Sequence, residues 1–139
     1  MEVFVTLPHL EGLKLSGSGV ITTDYFYSDN FDINISGSGY ISAAIDVEKV
    51  DASVSGSGKL ELAGVASNAD FDISGSGKID AYDLALSNCD AKISGSGDMW
   101  VNVEQNLYAK ISGSGTIFYY GNPSIESHIS GSGKLIHDN

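Results

Sequence analysis

Residues 54–60 read VSGSGKL and residues 73–79 read ISGSGKI, the same phrase nineteen residues apart. The tetrapeptide at its centre, Ser-Gly-Ser-Gly, occurs seven times, starting at Ser16, Ser36, Ser55, Ser74, Ser94, Ser112 and Ser130. The spacings are 20, 19, 19, 20, 18 and 18 residues, and these copies hold 14 of the 17 glycines. A short, regular period is the signature of a solenoid. A flexible Gly/Ser linker is the rival reading. It fails because apolar residues flank every copy at fixed offsets.

Those offsets define columns. Just before the motif come Leu15, Ile35, Val54, Ile73, Ile93, Ile111 and Ile129. Two residues after it come Ile21, Ile41, Leu60, Ile79, Met99, Ile117 and Leu135, and two further on Thr23, Ala43, Leu62, Ala81, Val101 and Tyr119. Three before it stand Leu13, Ile33, Ala52, Phe71, Ala91 and Ala109; five before it stand Phe31, Val50, Ala69, Cys89, Leu107 and Ile125. All these columns share one parity, and alternation with a period of two means strands with one buried face. The motif glycines have the same inward parity and the serines the outward one. Glycine there removes bulk and permits positive φ, so a corner can form.

The predicted fold is therefore all-β, a single parallel β-helix of about seven coils of 18–20 residues, with equivalent residues stacked about 4.8 Å apart in a rod roughly 30 Å long. No stretch has a convincing helical period. The chain reads as one domain, residues 1–139, with 1–15 an incomplete leading coil in which Val3, Val5 and Leu7 alternate before Pro8 breaks the strand. Coil-to-coil variation falls in Tyr25–Asn30, Ile45–Lys49, Gly64–Asn68, Asp83–Asn88, Glu104–Asn106 and Gly121–Ser124, whose Gly, Asn, Ser and Asp predict turns. Neither end carries an obvious cap, so the reading expects a fragment or ends that pack on something.

Composition narrows the function classes. Seven lysines, no arginine and 18 acidic residues give a net charge of −11. Nucleic-acid binding needs a basic face, and docking on anionic lipid needs one too. Apolar residues make up 42%, too many for a disordered acidic chain. No apolar run reaches membrane-span length, and nothing after Met1 reads as a signal peptide. The lone Cys89 excludes an internal disulfide and a multi-cysteine zinc site.

Repeated [VI]-S-G-S-G-x-[ILV] coils at 18–20 residues, the opening VFVTLPHLEGLKLSGSG and the late YAKISGSGTIFYYGNPSIESHISGSGKL are similar to the bacterial putative auto-transporter adhesin family, also called the head GIN domain. The resemblance covers essentially the whole chain. It implies a right-handed parallel β-helix in a secreted or envelope-anchored bacterial protein, and it supplies no catalytic residues to carry over.

Candidate sites follow from the outward columns. Asp32, Asp51, Asp70 and Asp90, four residues before the motif, form an acidic column continued by Tyr108 and Glu126. Stacked carboxylates repel one another, and a hard cation such as Ca²⁺ could offset that. Screening by water and salt is the simpler reading, with Lys92 and Lys110 two positions on. Cys89 shares the column of Val50, Ala69 and Leu107, and none of His9, His128 and His137 shares its coil, so a buried small hydrophobe is expected and not a nucleophile. On the outward face Trp100, Phe118 and Ile136 form one column, with Tyr120 and Tyr82 in the next. Earlier coils fill Trp100's column with Thr22, Ser42, Glu61 and Asp80. A contiguous aromatic patch marks an interface for a twin subunit, a protein or a glycan.

The sequence thus predicts a non-enzyme without cofactor that presents a patch to a protein or glycan partner, with homo-oligomerisation open, and the family resemblance implies an extracellular or envelope location. The alternative is a structural scaffold that self-assembles end to end or face to face.

Overall fold

The structure, a computed structural model, describes residues 2–5, 12–23 and 26–137, and side chains for residues 14–22 and 29–137. Leu7, Pro8, His9 and Tyr25 lie outside the described residues, as do the side chains of Val3, Val5, Leu13 and Thr23. Within the described residues there is no helix. Eleven strands run in order: β1 (Glu2–Val5), β2 (Gly12–Gly17), β3 (Val20–Thr23), β4 (Phe26–Gly37), β5 (Tyr40–Gly56), β6 (Lys59–Gly75), β7 (Lys78–Gly95), β8 (Asp98–Gly113), β9 (Thr116–Tyr120), β10 (Ser124–Ser130) and β11 (Lys134–His137).

Every strand pairing is parallel. Strands β5 to β8 are each one turn of chain, bent to stack on the next, and the fold is a parallel β-solenoid of about six turns. Seven motif copies bound six intervals, which reconciles the count of corners with the count of turns.

Register confirms the column reading. Ile35 pairs with Val54, Val54 with Ile73, Ile73 with Ile93 and Ile93 with Ile111. These residues, together with Ile41, Leu60, Ile79, Met99 and Ile117 of the column after the motif, are buried in one continuous core. Volume is balanced between rungs as well as within them. Phe71, fully buried, lies in register between Ala52 and Ala91, so a large ring is flanked by two small side chains. In the last rung Ile125 and Ile129 keep their inward register yet are 41% and 42% exposed, because no further described rung covers them.

The motif serines point outward as expected, but the two glycines are not equivalent. Gly75 is exposed, with φ of 113°, whereas Gly77 is buried. Counting by two runs straight through a bend and puts both glycines inside. The chain instead turns at Gly75, so Ser74, Gly75 and Ser76 are all exposed before alternation resumes. A Cβ on Gly75 would lie 2.8 Å from the Gly56 carbonyl oxygen; one on Gly77 would lie 2.5 Å from Val54 Cγ1 and 2.9 Å from the Gly58 oxygen. The first glycine therefore permits the turn, and the second leaves the space that the branched residue of the preceding rung fills. Hydrogen bonds continue around this corner: Ser76 N–H donates to the Gly56 carbonyl at 3.1 Å and Lys78 N–H to the Gly58 carbonyl at 3.0 Å.

The stretches expected to be turns differ from that expectation. Phe26 to Asn30 lie in β4, and Ile45–Lys49, Gly64–Asn68, Asp83–Asn88 and Glu104–Asn106 lie inside β5 to β8; among the described residues of these stretches the strand lapses only around Gly121–Pro123. Local turn chemistry is overridden there by pairing to the neighbouring rung. Length differences are absorbed in or just before these stretches, as register shifts between Glu61 and Ala63, between Ala81 and Ala85 and between Leu86 and Asn88.

Replacing Gly77 by Ala is expected to lower stability by about 1–3 kcal/mol through overpacking against Val54 and the Gly58 carbonyl. Trimming Val54 to Ala in the same chain should recover part of that loss. Urea unfolding followed by circular dichroism measures both; an undiminished stability in Gly77→Ala would contradict the packing described.

Candidate functional site

The strand that follows each corner carries the aromatic face. Asp80 pairs with Trp100, Trp100 with Phe118 and Phe118 with Ile136, so the predicted column exists. Trp100 and Phe118 stack with ring centroids 5.3 Å apart and planes 8° from parallel. Tyr120 pairs with Asn102, whose amide Nδ2 donates to the Tyr82 carbonyl at 3.4 Å. The Tyr82 and Tyr120 rings meet across that asparagine at 6.5 Å, tilted by 59°. All five predicted residues are thus brought onto one side of the rod. Tyr120 is 51% exposed and Ile136 38%, while Trp100 and Phe118 are half-buried by their own stacking. The rings stack along the rod axis, so Trp100 and Phe118 turn faces to each other and edges outward.

The strand that precedes each corner carries the acidic column. Asp32 pairs with Asp51, Asp51 with Asp70, Asp70 with Asp90 and Asp90 with Tyr108. The four aspartates stand one per rung in a file, and among the described residues no three His, Cys, Asp or Glu side chains gather as a metal-ligand group. Burial pushes the Asp51 carboxyl above its ordinary value of 3.8; Lys49 opposes this, and Asp70 and Asp32 reinforce it. One oxygen of Asp90, Oδ1, is shielded from solvent and receives no hydrogen bond.

A neighbouring ladder was missed in the sequence reading. Asn88 Nδ2 donates to Asn68 Oδ1 at 3.1 Å, and Asn106 Nδ2 donates to Asn88 Oδ1 at 2.8 Å. These asparagines occupy one column, six residues before the motif, with Asn30, Lys49 and Ser124. The signal was present, since Asn30, Asn68, Asn88 and Asn106 each end a variable stretch. It was read as turn chemistry and not as a ladder. Two further ring pairs also escaped notice: Tyr108 with His128 at 5.8 Å, and Tyr119 with His137 stacked at 4.7 Å.

Cys89 is buried as predicted, and burial pushes its thiol far above the ordinary range, opposite to what a nucleophile needs. On the N-terminal half of the aromatic side the surface is polar. Tyr40, pushed up to about 12 mainly by burial, hydrogen-bonds Glu61, which Lys59 also contacts at 3.2 Å.

The described residues thus form a parallel β-solenoid whose outward side chains stack in ladders from rung to rung. The chain belongs to the family described as "Putative auto-transporter adhesin, head GIN domain", which matches residues 1–123. Solved structures similar to it include a putative lipid binding protein from Parabacteroides distasonis, 31% identical, covering 97% of this chain and 56% of that one, TM-score 0.86. A putative adhesin from the same organism is 26% identical, covering 96% of this chain and 59% of its own, TM-score 0.81. A putative adhesin from Bacteroides fragilis is 29% identical, covering 91% and 59%, with the same score. The chain spans about three-fifths of the length of these structures. No curated protein matches it. Among the described residues no helix is long and apolar enough to cross a membrane.

The raised Asp51 carboxyl sets a pH dependence. Its proton is held more tightly in the folded than in the unfolded chain, so this group costs stability as pH rises from 3.8 through the raised value. Asp51→Asn should therefore raise the melting temperature at pH 7, and the gain should shrink as pH falls through the carboxylate range. A gain that grows on acidification would contradict the assignment.

Proposed function

We propose that this chain is a non-catalytic cell-surface or envelope module that binds a partner through the face formed by Tyr82, Trp100, Phe118, Tyr120 and Ile136. The observation that carries the reading is the change of one column from Ser42, Glu61 and Asp80 to Trp100, Phe118 and Ile136 on adjacent rungs, with Tyr120 half-exposed beside it. A solvated rod gains nothing from exposing aromatic edges, whereas an interface does. The family's adhesin description and the putative adhesins among the similar structures support a surface location and a binding role.

Ring geometry favours the kind of partner. Sugar stacking uses the flat face of a ring, and the facing planes of Trp100 and Phe118 are already occupied by each other. Edges and the tilted tyrosines suit the apolar surface of a protein. A second reading, end-to-end self-assembly, draws on Ile125 and Ile129, which expose inward-column side chains at one end of the described rod.

The test pairs light scattering with an apolar dye. The wild-type chain should remain a discrete monomer or small oligomer over a hundredfold concentration range and bind Nile red. The Trp100→Ser, Phe118→Ser double variant should stay folded and lose most of that fluorescence. Dye binding unchanged in the variant would overturn the reading, and growth of particle size with concentration in both would favour the scaffold.

A further inference from the structure

On the side of the rod that precedes the corner, away from the aromatic face, the amide ladder and the acidic file enclose a depression of about 430 Å³. Three rungs each contribute two polar groups to its lining, two residues apart: Asn68 with Asp70, Asn88 with Asp90, and Asn106 with Tyr108; the rung before them contributes Lys49 alone. Strand geometry sets the members of a pair about 7 Å apart and successive pairs about 4.8 Å apart. The result is a repeated recognition unit along the rod, unlike the single convergent cluster of a metal or catalytic site.

The chemistry of that unit is specific. An asparagine amide both donates and accepts, whereas a carboxylate only accepts. Neighbouring sugar hydroxyls each donate and accept, so one can accept from the amide while another donates to the carboxylate. One carboxylate oxygen of this lining, Asp90 Oδ1, is unpaired but shielded from water, so a ligand hydroxyl reaches it only when the partly exposed Asp90 side chain turns. The Tyr108 ring closes one end of the depression, tilted by 46° to His128 and so not covered face to face by it. Asp70 and Asp90 outweigh Lys49, the one cation among the described lining residues, and so disfavour anionic polysaccharides, while Lys49 opposes cationic ones; a neutral chain fits this mixed lining best.

We propose that this groove binds a neutral, linear oligosaccharide lying along the rod axis, its hydroxyls shared between the Asn68–Asn88–Asn106 amides and the Asp70 and Asp90 carboxylates, with Tyr108 packing on one ring. The site is separate from the aromatic face, so either can fail without the other.

The experiment titrates the ¹⁵N-labelled chain with cellohexaose, mannohexaose and xylohexaose and follows the backbone amides by NMR. At least one hexasaccharide should shift residues 68–70, 88–90 and 106–108. Asp90→Asn, which preserves shape, and Tyr108→Ala should each weaken binding by about tenfold, the effect of one lost polar or stacking contact. Val65→Ser, on an exposed residue outside the groove, should leave binding unchanged. No shift with any hexasaccharide at millimolar concentration overturns the proposal. So do shifts confined to residues 98–102 and 116–120, which would assign sugar binding to the aromatic face, or shifts in the groove produced only by a lysine-rich decapeptide.

Discussion

Everything in this rod depends on how closely one rung can approach the next at the Ser-Gly-Ser-Gly corner. A single Cβ at the first glycine would press on the carbonyl below it, and one at the second would collide with the branched side chain of the preceding rung. Because neither Cβ exists, the backbone turns sharply and hydrogen bonding carries around the bend. Rung-to-rung register is then fixed six times over, between successive corners, and every outward side chain is placed by the same constraint. A slip of one residue would send the Ile35–Val54–Ile73–Ile93–Ile111 column to the surface, so the hydrophobic core enforces the register that the corners allow.

That constraint explains why so much of the architecture was legible. The inward columns, the outward serines, the aromatic face and the aspartate file all follow from one motif and a period of two. Counting failed where the period is interrupted. Gly75 was assigned inward because parity does not register a bend, and Ile45–Lys49 or Asp83–Asn88 were assigned as turns because residue preference does not register pairing to a neighbour eighteen to twenty residues away. The asparagine ladder was hidden for the same reason. Asn68, Asn88 and Asn106 look like local turn residues, and only stacking turns them into a chain of hydrogen bonds.

Stacking also converts sequence repetition into function. In most folds a surface patch is assembled from distant segments, but here it is written down one column. Substituting the same position in consecutive repeats changes the character of a face while leaving the corner and core alone. The aromatic and amide–carboxylate ladders are two such texts on two sides of one rod, with different chemistry and no shared residue. In the binding role proposed above, rigidity would hold the faces flat and each face could be tuned separately.

Inter-rung register is the central claim, and methyl–methyl nuclear Overhauser contacts in the selectively labelled chain measure it directly. The account predicts contacts linking Val54 to Ile73, Ile73 to Ile93 and Ile93 to Ile111, residues that share a column in successive rungs. Contacts that instead join these residues to positions offset by one or more from that register would contradict the stacking, and with it the placement of the aromatic face and the amide–carboxylate ladder.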